Sequence, residues 1–226
     1  MKRANDQLMS LCAALTLDTD VFWEVVEAPQ PFEFTLASLP SAEHPSLAHC
    51  VKDNWEVREL APSGFAAATV GKMHADPEVV ELVSACYHAR AIEATSPSLA
   101  AVIYVSVVEA IGARFVPLSK CECCEKCDRY VGYARQFRQA LKLALPAGDA
   151  KRLGKLYNKR SKTAHEGALH GTEFRLRERT NSFTQDPADY FLYQEVWHVR
   201  AAAGRLLRLM VEDRLPTPVS SDHNVE

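Results

Sequence analysis

The sequence predicts a mainly α-helical protein, an antiparallel helical bundle with a small α/β segment at its N-terminal end. Three observations predict it. Two proline-initiated helix starts, Asp76-Pro77-Glu78 and Ser96-Pro97, open a long stretch with apolar residues at three- and four-residue spacing. Residues 99–112 are apolar nearly all round, the pattern of a helix at the centre of a bundle. Ahead of both, residues 21–26 and 32–36 are rich in aromatic and β-branched side chains, as strands are.

Taken in order, residues 1–17 read as a short helix with Leu8, Leu11, Cys12 and Leu15 on one side. The two candidate strands follow, separated by Pro29-Gln30-Pro31, and residues 40–62 are irregular and polar around Trp55. Residues 1–75 thus form a small mixed unit of unassigned role. The helical part, 76–215, begins with a helix to about Ala94 that turns Val79, Leu82, Val83, Cys86 and Ile92 inward. The central helix runs to Phe115 with Leu99, Val102, Ile103, Val105, Val107, Val108 and Ile111. A third spans 128–145 on a stripe of Val131, Ala134, Phe137, Leu141 and Leu145, and Pro146-Ala147-Gly148 ends it. A fourth starts near Asp149, and a polar loop of about twenty residues follows it. The last, 189–214, buries Phe191, Val196, Val199, Leu206 and Met210; residues 216–226 read as a disordered tail.

With 226 residues, 47% hydrophobic and 24% charged, the chain has the composition of an ordinary folded domain. Its net charge of −3 hides an asymmetry. Up to Leu60, four basic residues face ten acidic ones, a balance of −6. From Lys151 to Arg179, nine basic residues face three acidic ones, a balance of +6, which is a footprint for a polyanion. The N-terminus lacks the pattern of a cleavable signal, and the longest apolar run is too short for a bilayer and holds Ser106 and Glu109. A cytoplasmic protein without a membrane partner is expected. Its seven cysteines then read as thiols or metal ligands rather than disulfides.

The basic region is centred on Leu156-Tyr157-Asn158-Lys159-Arg160-Ser161-Lys162-Thr163-Ala164-His165-Glu166-Gly167. Read as one helix from Asp149, it places Leu153, Leu156 or Tyr157, Arg160 and Ala164 on one face, with Lys151, Lys155, Lys159 and Lys162 on its neighbour. A cation on an apolar stripe needs an anion or a wet cleft. His165 lies roughly 140° round the helix from Arg160, so the two converge only at the helix end or across two copies of the chain.

The Arg-x4-His spacing of Arg160 and His165 in this context resembles the signature of HEPN-domain ribonucleases, especially the Apea-like branch. Val108-Glu109-Ala110-Ile111 and Arg135-Gln136-Phe137-Arg138 are similar to the helices that precede the motif there. The likeness covers about residues 76–215. It implies a HEPN-type bundle and metal-independent RNA cleavage at a homodimer cleft, leaving 2′,3′-cyclic phosphate and 5′-hydroxyl ends. His165 would move the proton, Arg160 would hold the phosphate, Ser161 would orient one or the other, and Glu109 would fix the guanidinium. Lys151, Lys155, Lys159 and Lys162 would bind RNA. A toxin or antiviral-defence role, with an antitoxin or defence-system partner, follows from the family alone. The alternatives are a non-catalytic HEPN module that binds RNA, a nucleotide or a partner protein, and a zinc-stabilised interaction protein. Gly167 stands where another HEPN branch has a tyrosine that a partner modifies, so that mode of control is not expected.

Cys121, Cys123, Cys124 and Cys127 contain two overlapping C-x2-C steps. Adjacent cysteines do not both fit one tetrahedron easily, so Cys121, Cys124 and Cys127 are the candidate ligands for a structural zinc, and catalysis is expected to need no cofactor. Cys12, Cys50 and Cys86 read as buried apolar residues.

Overall fold

The computed structural model describes residues 2–25, 63–120, 130–166 and 187–217. The chain is mainly helical. Its helices are α1 (Lys2–Thr19), α2 (Gly64–Ala75), α3 (Pro77–Ile92), α4 (Pro97–Ala113), α5 (Tyr133–Ala144), α6 (Ala147–Leu153), α7 (Leu156–Glu166) and α8 (Pro187–Val211). Two short strands, β1 (Ser119–Lys120) and β2 (Tyr130–Val131), pair antiparallel between α4 and α5. Among the described residues no helix is long and apolar enough to cross a membrane.

The central helix is α4, which packs against α3, α5, α7 and α8. Tyr104, Val105, Val107, Val108 and Ile111 are buried along it. Burying each such side chain contributes about 1.5–3 kcal/mol before entropy is set against it. Leu99, expected inside, is 45% exposed: Ser98 and Ala100 on either side of it are buried, so it takes the solvent-facing side of the first turn. Gly112 permits the tightest approach. A Cβ there would lie 2.5 Å from the Gln136 carbonyl oxygen, so α5 sits against bare α4 backbone. Gln136, buried beside it, donates from Nε2 to the Val116 carbonyl at 2.8 Å.

Asp76 joins α2 to α3. Its backbone N–H closes α2 onto Lys72, and its carboxylate accepts from the Glu78 N–H at 3.0 Å to cap α3. Arg114, just past α4, reaches Asp76 at 3.4 Å and Glu78 at 2.6 Å, fastening the two antiparallel helices at one end. Partial desolvation pushes the Asp76 carboxyl up, but the Glu78 N–H and Arg114 outweigh it and hold the group below the usual carboxylate range.

Several expectations are corrected. Residues 21–25 form no strand, and residues 64–75, for which no element was expected, form α2. Ser63 starts α2 by accepting from the Phe65 N–H at 3.1 Å. On α1 the buried residues are Ala13, Ala14 and Thr16, whereas Leu8 and Leu11 are exposed, since small side chains let α1 approach α2 and α3 closely. Ala13, Phe65 and Met73 lie in the same apolar core as α3–α8. The helix expected from residue 128 begins at Tyr133, after Gly132 turns the chain with φ 127° and Tyr130–Val131 pair with β1. The expected strand at 32–36, Trp55, Cys50, the polar loop after Glu166 and the tail beyond residue 217 lie outside the described residues.

A candidate anion site on α7

The basic stretch is not one helix. The chain leaves helical hydrogen bonding at Gly154-Lys155, so Lys151 belongs to α6, Lys155 to the joint, and Lys159 and Lys162 to α7. Glycine is a poor helix former, and buried Leu153 and Leu156 on either side anchor the two short helices separately. On α7 the inward positions are Leu156, Arg160 and Thr163 at four- and three-residue spacing; Ala164, expected inward, is exposed.

Arg160 points from α7 to α4. Its Nη2 donates to the Ser106 hydroxyl at a long 3.5 Å and stands 3.9 Å from Glu109 Oε2. Its guanidinium carbon lies 5.9 Å from the centre of the Tyr157 ring. The side chains of Arg160 and Glu109 are only 26% and 16% exposed, yet Arg160 Nε and Glu109 Oε2 are buried with no hydrogen-bond partner among the described residues. Burial holds the Glu109 carboxyl above the usual carboxylate range, and Arg160 offsets this only in part. The guanidinium is therefore positioned but under-used, with donor capacity left for a closer anion.

His165 is exposed in the last turn of α7, and Ser161 is half-buried. The contrast with inward Arg160 agrees with their separation of roughly 140° on the helix. Of the four lysines, Lys159 donates to Glu195 on α8 at 2.6 Å and so is partly neutralised. Lys151, Lys155 and Lys162 are exposed. Arg152 is drawn into structure: it pairs with Asp149 at 3.2 Å and reaches His198 Nε2 at 3.1 Å. The crevice beside Arg160, walled by Ser98, Val105, Thr163 and Leu192, has a volume of about 10 Å³, room for one water.

Sequence reasoning paired Glu109 with Arg160 but missed Ser106, Tyr157 and Glu195. Ser106 had a visible signal. It lies three residues before Glu109 in an otherwise apolar helix, which puts both polar groups on one face. The candidate zinc ligands Cys121, Cys124 and Cys127 lie outside the described residues, bracketed by β1 and β2. No cluster of metal-ligating side chains occurs among the described residues. Cys86 is buried, which pushes its thiol up to about 12, and Cys12 is half-buried. Compared with family models, curated proteins and solved structures, the chain gives no match.

Proposed function

We propose that the chain is a metal-independent endoribonuclease of the HEPN type, acting in the cytoplasm as a homodimer, with Arg160 and His165 from two copies facing one scissile phosphate. The observation that supports it most is the guanidinium of Arg160, fixed by Ser106, Glu109 and Tyr157 through long contacts only, on the helix whose last turn exposes His165. One His165 takes the proton as the ribose 2′-oxygen attacks phosphorus. The P–O5′ bond breaks, and the other His165, as imidazolium, protonates the departing 5′-oxygen. Arg160 carries the charge that builds on the non-bridging oxygens, and Ser161 orients it. Lys151, Lys155, Lys159 and Lys162 line the approach of the RNA strand. A toxin or defence role with a restraining partner extends the family resemblance. Any zinc held by Cys121, Cys124 and Cys127 would be structural.

Two facts favour the second reading, a non-catalytic module that binds RNA, a nucleotide or a partner: Arg160 already has a carboxylate neighbour, and the crevice beside it holds about 10 Å³. Incubation with tRNA or mRNA in EDTA separates the two. Cleavage to cyclic-phosphate ends that His165→Ala abolishes supports the nuclease; identical behaviour of wild type and His165→Ala leaves the binding module.

A further inference from the structure

A much larger cavity lies away from Arg160. It opens between α1, α3, α4 and α8 with a volume of about 210 Å³. Tyr104 faces it from α4, roughly 200° round that helix from Ser106, so the two sites lie on different sides of the central helix. Leu17, Cys86 and Ala201 supply apolar wall, and Trp197, 52% exposed, stands among its lining residues.

The charge around this cavity is unusual for a packing defect. Arg90, Arg200, Arg205 and Arg208 all line it. Glu93, buried, accepts from Arg200 at 2.6 Å and from the Tyr104 hydroxyl at 2.9 Å, and lies 3.5 Å from Arg90. Asp20 pairs with Arg200 at 3.2 Å, and Asp18 with Arg208 at 3.4 Å. Among the described residues, four guanidiniums against three carboxylates leave one positive charge uncompensated. Arg205 donates to the neutral Ala144 carbonyl at 2.9 Å and has no carboxylate partner among the described residues, while Arg90 Nε is buried with no partner among them. Donors in a partly apolar cavity favour an anion strongly, because water competes less there.

Gly204 makes a second, independent observation. It sits inside the 25-residue α8, where glycine costs about 1 kcal/mol relative to alanine. Nothing lies within 4 Å of where its Cβ would be, so packing does not require a glycine. It lines the cavity, and any longer side chain there would narrow it.

We propose that this cavity binds a small amphipathic monocarboxylate, its carboxylate held by Arg205, which has no carboxylate partner among the described residues, and its one- or two-ring apolar body between Leu17, Ala201, Gly204 and Trp197. The single net charge selects a monoanion over a phosphate dianion. The size selects a small body: a cavity of ~150 Å³ already admits benzene, and drug-sized ligands need ~300 Å³ or more. Titration calorimetry of the full chain with 2-naphthoate, its amide 2-naphthamide and phenyl phosphate tests this. One-to-one binding of 2-naphthoate is expected, at least about tenfold tighter than of the amide and tighter than of phenyl phosphate. Gly204→Leu should weaken it at least about tenfold with the circular dichroism spectrum unchanged, and Arg205→Gln should do the same. Absence of 2-naphthoate binding at about 1 mM, equal affinity for acid and amide, a preference for phenyl phosphate, or undiminished binding by folded Gly204→Leu would overturn the proposal.

Discussion

Arg160 on α7 and Glu109 on α4 meet at 3.9 Å, close enough to attract and too far to hydrogen-bond, and each keeps a buried polar atom without a hydrogen-bond partner among the described residues. A pair so loosely engaged ranks low as a structural brace and high as a positioned cation. Under the proposed nuclease reading, Arg160→Lys should lower RNA cleavage at least about 100-fold, because an ammonium neither forks onto phosphate nor stays pinned at Ser106. Melting should move little, since Arg160 holds Ser106 and Glu109 only at long range. A variant retaining cleavage within a few-fold removes Arg160 from the site.

A composite dimer site has a signature that a single-chain site lacks. Mixing wild type with an equal amount of His165→Ala, under conditions that exchange subunits, assembles heterodimers whose cleft keeps only one of the two His165 side chains. Random pairing leaves about a quarter of the dimers fully wild type, so activity per total chain should fall to about a quarter rather than about half. A fall to only about half after demonstrated exchange would place a complete site within one chain.

Phosphate contacts are read by salt. Replacing Lys151, Lys155 and Lys162 by alanine should reduce the slope of log affinity against log salt by about 0.7 per lysine for a single strand. Lys159→Ala should change the slope less, because Glu195 already neutralises that ammonium. Equal slopes for wild type and the triple variant would remove these lysines from the RNA path.

The raised Glu109 carboxyl makes a pH-dependent contribution of known sign. A carboxyl whose folded-state pKa lies above its unfolded value supports the fold while protonated, and that support is lost as pH rises through the raised value. Glu109→Gln mimics the protonated form. Its melting temperature relative to wild type should therefore be more favourable at about pH 8 than at about pH 4. A difference independent of pH would mean the carboxyl is not desolvated.

Two substitutions probe packing. Gly112→Ala drives a methyl group into the Gln136 carbonyl, a backbone atom that moves only with α5. A loss of about 1–3 kcal/mol in chemical denaturation is expected. Asp76→Ala removes the cap of α3 and should cost about 1 kcal/mol near neutral pH. Because the Asp76 pKa is depressed, that cost should shrink as pH falls through the folded value, below the ordinary carboxylate range.

Local chemistry made much of this chain legible. Asp76-Pro77 and Ser96-Pro97 announce α3 and α4 one residue before each begins, and the all-round apolar run identifies the central helix. Those signals act within a turn or two of backbone, so a linear reading catches them. The break at Gly154 and the inward face of α1 escaped it. Leu8 and Leu11 have the stronger pattern, but Ala13 and Ala14 permit the closer approach.

By itself the sequence determined the helical class, the buried core of α4 and the candidate pair Arg160 and His165. Only the tertiary structure decided which polar groups meet: Ser106 with Arg160 across 54 residues, and Glu93 with Arg200 across 107. It also decided that four arginines converge on one cavity. The reason is physical. Caps and periodicity depend on neighbouring residues, whereas the partner of a buried charge depends on how helices cross, and bare backbone at Gly112 sets one of those crossings.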